Sequence, residues 1–226
     1  AMALEELGEA QFLLFGDEAK IRAELNEHPA LKNSSEIIHT NSVVAPDEKP
    51  SSALRTGRES SMRLALDSVA EGRTEAAVSA GNTGALMAMA KFVLKCLPGI
   101  HRPAIASVFP TMKDDIVMLD LGANIECTPD NLVQFALLGA VYARIRKGND
   151  FTPTVGILNV GTEDMKGHEE VREAGNILRA LDFPGTFKGF IEGTDIPKGT
   201  VDVVVTDGFT GNVALKVAEG MGNLTS

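Results

Sequence analysis

The sequence predicts an α/β protein, a three-layer α/β/α arrangement around a mostly parallel sheet. Short β-rich runs recur along the chain, each closed by a glycine-containing turn and followed by a longer stretch with apolar residues at helical spacing. The helical stretches open on caps and close on glycine or basic residues. At 226 residues and 44% hydrophobic, the chain holds enough apolar material to cover such a sheet. All of residues 1–226 are read as a single α/β domain.

In chain order, strands are expected at residues 11–17 (QFLLFGD) and 36–40 (EIIHT). Residues 42–60, with two prolines, a glycine and mixed charges, read as a long loop. A helix follows, capped by Ser60 or Ser61 and stopped at Gly72. Residues 76–80 (AAVSA) read as the next strand, and an apolar helix follows the GNTG turn. The run at 116–122 (IVMLDLG) is a further strand. Thr128 then caps a helix with Pro129 in its first turn, and the basic residues 144–147 suit its C-terminus. Strands at 155–161 (VGILNVG) and 201–208 (VDVVVTDG), with a weaker one at 187–193 (FKGFIEG), complete the reading.

Charge and cysteines narrow the function. Lys and Arg number 21 against 31 Asp and Glu, a net charge of −10, which excludes general nucleic-acid binding. Any anionic ligand must find a local positive site. Cys96 and Cys127 belong to no CxxC or Cys/His spacing, so zinc is not expected and a reducing cytoplasm is the simplest compartment. No apolar run approaches the roughly 20 residues that span a bilayer. The opening AMALEELGEAQ lacks the basic flank and apolar heart of a signal peptide. The chain reads as soluble, attached at most to a membrane surface.

Four strands end in small polar turns: SAGNTGA (79–85), DLGAN (120–124), NVGTE (159–163) and TDGFTGN (206–212). Strand C-termini of a parallel sheet share one edge, so Asn82, Thr83, Asn124, Asn159, Thr162, Asp207 and Asn212 are expected to face a common cleft. Glycines there admit close ligand approach, and free N–H groups at helix starts favour anions. Gly and Asn also follow strands simply because they accept positive φ. Neither the GxGxxG nor the GxxxxGK[ST] pattern occurs, which disfavours an ordinary dinucleotide or nucleotide-triphosphate site. Ser79 and Ser107 lie outside a GxSxG elbow, and His28, His39, His101 and His168 show no metal-ligand spacing. Lys166, Arg102, Arg55 and Arg58 are the cations placed to serve a cleft, Lys166 best of all. Asp120 and Asp207 either cap their own turns or act as acids.

The motifs SAGNTGALM, LDLGAN, LLGAVYA, LNVGTEDMKG, VDVVVTDGFTGNVALK and PGIHRPA together resemble the fatty acid/phospholipid synthesis (PlsX) family of phosphate acyltransferases, from about residue 12 to residue 220. The resemblance implies a bacterial cytoplasmic enzyme, peripheral at the inner face of the membrane. It converts long-chain acyl-acyl carrier protein and inorganic phosphate into acyl phosphate and free carrier protein. The product passes to a membrane glycerol-3-phosphate acyltransferase. The resemblance also implies a homodimer, an isocitrate dehydrogenase/phosphotransacetylase-like fold and no cofactor or required metal. Members begin with a strand and an Asp-Ala-x-Gly-Gly-Asp turn, whereas this chain starts in what reads as the end of the first helix; the members' C-terminal part is likewise missing. His101 and His168 stand where Asp and Asn are expected.

On this resemblance, phosphate binding falls to Asn82, Thr83, Gly84, Gly208 and Asn212, with Gly122, Gly161, Gly211 and Arg102 completing the substrate contacts. Asn124, Asn159 and Thr162 are expected to polarise or orient the thioester, Lys166 to stabilise charge, and Asp207 to join the catalytic set. The acidic carrier protein would dock on Arg55, Arg58, Arg63 or the 144–147 cluster. Rival readings are a phosphotransacetylase-like transfer from acyl-coenzyme A and a noncatalytic anion-binding or scaffold module. An isocitrate-dehydrogenase-like oxidoreductase is weaker, for want of clustered aspartates and arginines.

Overall fold

The β-rich runs become strands wherever a neighbouring run is there to pair with. The computed structural model describes residues 10–225, so the reading of the opening residues, as lacking a signal peptide and ending a first helix, lies outside the described residues. The chain forms two compact units, one up to Leu97 and one from Pro98, where the sequence reading takes it as one domain.

In the first unit, β1 (Phe12–Gly16) and β2 (Ser35–His39) pair in parallel, from Phe12 opposite Ser35 to Gly16 opposite His39. The helices are α1 (Glu18–Asn26), α2 (Pro29–Asn33), α3 (Pro50–Thr56), α4 (Ser61–Ala70) and α5 (Thr83–Val93). Asp17 caps α1 by accepting the N–H groups of Ala19 and Lys20. Ser60 caps α4, as expected. Val44, Ala53, Met62, Leu66, Ala85 and Met89 form the core of this unit.

Two expectations for this unit are corrected. The 42–60 loop contains α3, which starts at Pro50, a residue pre-set for the first helical turn. Residues 76–80 form no strand; Val78 is 94% exposed. A trough of about 930 Å³ lies between residues 10–15 and 73–79, floored by Ser61, Met62, Ala65 and Ser68. Strand pairing needs a neighbour about 4.8 Å away, and this segment has none among the described residues.

The second unit holds β3 (Ala106–Phe109), β4 (Ile116–Leu119), β5 (Thr154–Leu158), β6 (Thr186–Ile191) and β7 (Val203–Val205), in the order β3-β4-β7-β5-β6. All pairs are parallel except β3 on β4, an edge strand the sequence reading did not include. The helices are α6 (Pro129–Lys147), α7 (Glu169–Ala180) and α8 (Gly208–Thr225). Strand alternation sorts the core onto two faces. Val117, Leu119, Val203 and Val205 pack with Leu132, Phe135 and Ala140 of α6 and with Ala174 and Leu178 of α7. Ile116, Met118 and Val204 face the other way, with Ala214 and Leu215 of α8. Helices on both faces of this sheet give the expected α/β/α layering.

Asp202 ties the start of β7 to the start of β5. It accepts the Thr154 N–H at 2.8 Å, the Thr154 hydroxyl at 2.6 Å and the Lys147 ammonium at 3.3 Å. Burial alone would raise its carboxyl; the Thr154 hydrogen bonds and Lys147 outweigh that and hold it below the usual 3.8. A depressed carboxylate contributes stability that is present above its unfolded pKa and lost as pH falls through the folded one. Thermal unfolding from pH 7 to pH 2 should therefore show the wild-type advantage over Asp202→Asn shrinking below about pH 4. A constant difference across that range would contradict the assignment.

Candidate active site

The end of β4 is organised by one carboxylate. Asp120 is fully buried, and the peptide preceding it is cis. Its Oδ1 accepts the N–H groups of Ile105 (3.0 Å), Gly122 (3.2 Å) and Ala123 (3.0 Å); its Oδ2 accepts the Asn124 N–H (2.7 Å) and Nδ2 (2.8 Å). Of the two roles open to Asp120 from the sequence, this geometry is the turn anchor. Asn124, also buried, spends its amide inward, because Nδ2 donates to Pro103 O at 2.9 Å as well as to Asp120. Its remaining Oδ1 is an acceptor, so the side chain has no donor to offer a developing oxyanion.

The TDGFTGN turn packs directly on this loop. Thr206 N–H donates to Leu119 O, Asp120 N–H to Thr206 O, and Gly208 N–H to Asn124 O at 2.7 Å. Asp207 caps α8, accepting the Thr210 N–H at 2.8 Å and hydroxyl at 2.7 Å, while Gly211 N–H donates to Asp207 O. Gly208 and Gly211 are close-approach residues: a Cβ on Gly208 would stand 2.6 Å from Asn124 O, and one on Gly211 would overlap Asp120 O. Three of the first four N–H groups of α8 are thus consumed by the fold, and a carboxylate already sits at its N-terminus. Asn212, exposed beside Gly122, keeps its side chain available.

Residues 159–167 leave the same sheet edge from β5. Asn159 Nδ2 donates to Lys166 O at 3.0 Å, closing its own loop. Lys166 is exposed and stands 3.6 Å from Glu163, Thr162 is exposed, and Gly161 is buried beneath them. In the first unit, Asn82 caps α5: its Oδ1 accepts the Ala85 N–H and its Nδ2 donates to the carbonyls of Ala45, Pro46 and Glu48. Thr83 and Gly84, exposed at the start of α5, are left as the donors of that turn.

Of the expected docking cations, Arg55 and Arg58 are exposed and without a side-chain partner among the described residues, while Arg63 and the 144–147 cluster are engaged within the protein. Arg63 pairs with Asp67 and lies over the Phe92 ring. Arg144 bonds Asn149 O, Arg146 meets Asp115, and Lys147 bridges Asp114 and Asp202, all at the N-terminal edge of the sheet, away from the polar turns. Sequence reasoning missed Gln134, whose side chain accepts the His101 N–H at 2.8 Å. The Thr128–Pro129 helix start sets Gln134 in the second turn of α6, the one signal that could have placed it near the strand ends.

Cys127 sits among these groups, its thiol 3.6 Å from Asn124 O. Burial, then the Asp120 charge, pushes the thiol up to about 11, against the pull of the Gly208 N–H and Arg102. About 100-fold less thiolate, partly offset by higher intrinsic nucleophilicity, makes a poor nucleophile. In a Cys96→Ser protein at pH 8, Ellman's reagent should modify Cys127 about tenfold or more slower than free glutathione. Modification at the glutathione rate would contradict this environment.

A family model described as fatty acid synthesis protein matches residues 1–226. The chain belongs to this family. Within the fatty acid synthesis protein family, it is 59% identical over 223 residues to the phosphate acyltransferase of Rhodospirillum centenum, covering 99% of this chain and 62% of that protein. It is 54% identical to the phosphate acyltransferase of Paramagnetospirillum magneticum, covering 100% of this chain and 64% of that protein. The chain thus spans under two thirds of these relatives' lengths. Among solved structures it is similar to the EutD phosphotransacetylase from Staphylococcus aureus, with a TM-score of 0.63, 15% identity, and coverage of 94% of this chain and 74% of that one. That likeness agrees with the expected phosphotransacetylase-like α/β fold.

Proposed function

We propose that the protein transfers an acyl group from a thioester to inorganic phosphate, with long-chain acyl-acyl carrier protein as donor, in phospholipid synthesis. The identity with relatives named phosphate acyltransferase carries this reading. In the reaction an oxygen of HPO₄²⁻ attacks the thioester carbonyl carbon, a C–O bond forms and the C–S bond breaks. The phosphate proton passes to the departing thiolate, giving acyl phosphate and the free thiol. Phosphate is itself the nucleophile, so the protein's part is to position it and to stabilise charge.

The geometry supports a division of labour. Asn212 and Arg102, both in the second unit, are the donors for phosphate; Gly208 and Gly211 shape the turn. Asn159, Thr162 and Lys166 orient the thioester, and Asp207 holds α8 in place. Homodimerisation, attachment at the inner membrane face and hand-over to a membrane acyltransferase belong to the same reading. They are supported by an exposed apolar stripe on α8 formed by Phe209, Val213, Val217, Met221 and Leu224. Among the described residues no helix is long and apolar enough to cross a membrane.

Rates with palmitoyl-carrier protein and with acetyl-coenzyme A at equal phosphate test the donor. Faster turnover of the carrier-protein thioester is expected, and preference for acetyl-coenzyme A would favour the phosphotransacetylase-like alternative. Lys166→Ala should lower kcat/KM about tenfold, about 1.4 kcal/mol of transition-state stabilisation, without changing the melting temperature. An unchanged rate at saturating and subsaturating phosphate would remove Lys166 from the mechanism.

A further inference from the structure

We infer that residues 101–105 are a clamped loop that presents Arg102 as the phosphate-binding cation, with Asp120 and Asn124 as the positioning residues that hold it there. This deepens the acyl-transfer reading above and rests on it. The loop lies outside regular secondary structure, yet it is pinned on both sides of Arg102. Before it, the Gln134 side chain accepts the His101 N–H at 2.8 Å and meets His101 Nδ1 at 3.2 Å. After it, Pro103 O accepts from Asn124 Nδ2, Ile105 N–H donates to Asp120 Oδ1, and Ile105 O accepts the Leu121 N–H. Arg102 makes none of these bonds and is exposed, without an ion pair among the described residues.

The charge arrangement gives the loop its meaning. A buried carboxylate is costly unless its oxygens are satisfied, and a nearby arginine is the usual way to satisfy one. Asp120 is instead satisfied by four backbone N–H groups and one amide, all neutral. Arg102 therefore keeps its charge for a ligand while its backbone is fixed by that same carboxylate. Arg63, Arg146 and Arg179 are each paired with a carboxylate of the protein, whereas Arg55 and Arg58, like Arg102 exposed and without an ion pair among the described residues, belong to the first unit and lack such a clamped loop. In a chain of net charge −10, an exposed guanidinium on a fixed backbone, close enough to Cys127 for its charge to act on the thiol beside those of Asp120 and Asp207, is a cation still open to an anion. Its planar fork matches two phosphate oxygens.

The test compares wild type, Arg102→Ala, Asn124→Ala and the double variant by calorimetric titration with inorganic phosphate and by steady-state kinetics. Arg102→Ala should weaken phosphate binding and raise the phosphate KM about tenfold or more, with the KM for acyl-carrier protein changed less than twofold. Asn124→Ala should reproduce most of that effect, and the double variant should be no worse than Arg102→Ala, since both remove the same contact. Amide hydrogen exchange at Ile105 should quicken at least tenfold in Asn124→Ala, while Val117 to Leu119 in β4 keep their protection. Additive losses, a KM change confined to the carrier protein, or unchanged exchange at Ile105 would overturn the inference. Phosphate binding that depends on Arg102 without acyl transfer would uphold it and remove the acyl-transfer reading instead.

Discussion

Asp120→Ala should cost about 3–5 kcal/mol of folding stability, the largest single-residue effect expected in this protein. The substitution strips five donors of their acceptor, four of them backbone N–H groups that cannot turn away. Each orphaned buried donor costs about 1–3 kcal/mol. The sum is tempered because Gly122 and Ala123 are only half-buried and water can reach them. Against a typical total of about 5–15 kcal/mol, the loss removes much of the margin. Urea unfolding should show a lower midpoint with an unchanged slope. Asp120→Asn keeps the shape but turns an amide donor toward other donors, and should lose about 2–3 kcal/mol. A loss under about 1 kcal/mol for the alanine variant would mean the network adds little.

Gly211→Ala should destabilise by about 2–4 kcal/mol, and here the sign carries the argument. Helix propensity predicts the opposite, since alanine in place of an interior glycine stabilises a helix by about 1 kcal/mol. At Gly211 the added methyl would meet the Asp120 carbonyl and stand 2.9 Å from Thr206 Cγ2, so backbone has to move. Gly220, in the same helix, has nothing within 4 Å of its would-be Cβ. Gly220→Ala is therefore the internal control, expected to raise the melting temperature while Gly211→Ala lowers it. Equal shifts of the same sign would show that the two turns are not locked together as described.

The parts of the fold legible in the sequence are those set by local chemistry. The caps at Ser60 and Thr128 and the apolar runs of β4, β5 and β7 depend on residues close in the chain. Residues 76–80 show the limit, because strand composition produces no strand without a pairing neighbour. The polar turns were legible as turns, and those at 120–124 and 206–212 do meet. What each side chain does there was not legible. Whether Asn82 or Asn124 faces a ligand or its own backbone depends on carbonyls 21 to 37 residues away, at Pro103 and at Ala45 to Glu48. Composition carries no trace of such distant partners.

The acyl-transfer account is tested most directly by a single-turnover experiment on palmitoyl-acyl carrier protein, run with and without inorganic phosphate and with acyl phosphate trapped by hydroxylamine. The account predicts one trapped acyl group for each free carrier protein released, and neither product when phosphate is omitted. Release of carrier protein without phosphate, or its release with phosphate but no trappable acyl phosphate, would contradict it.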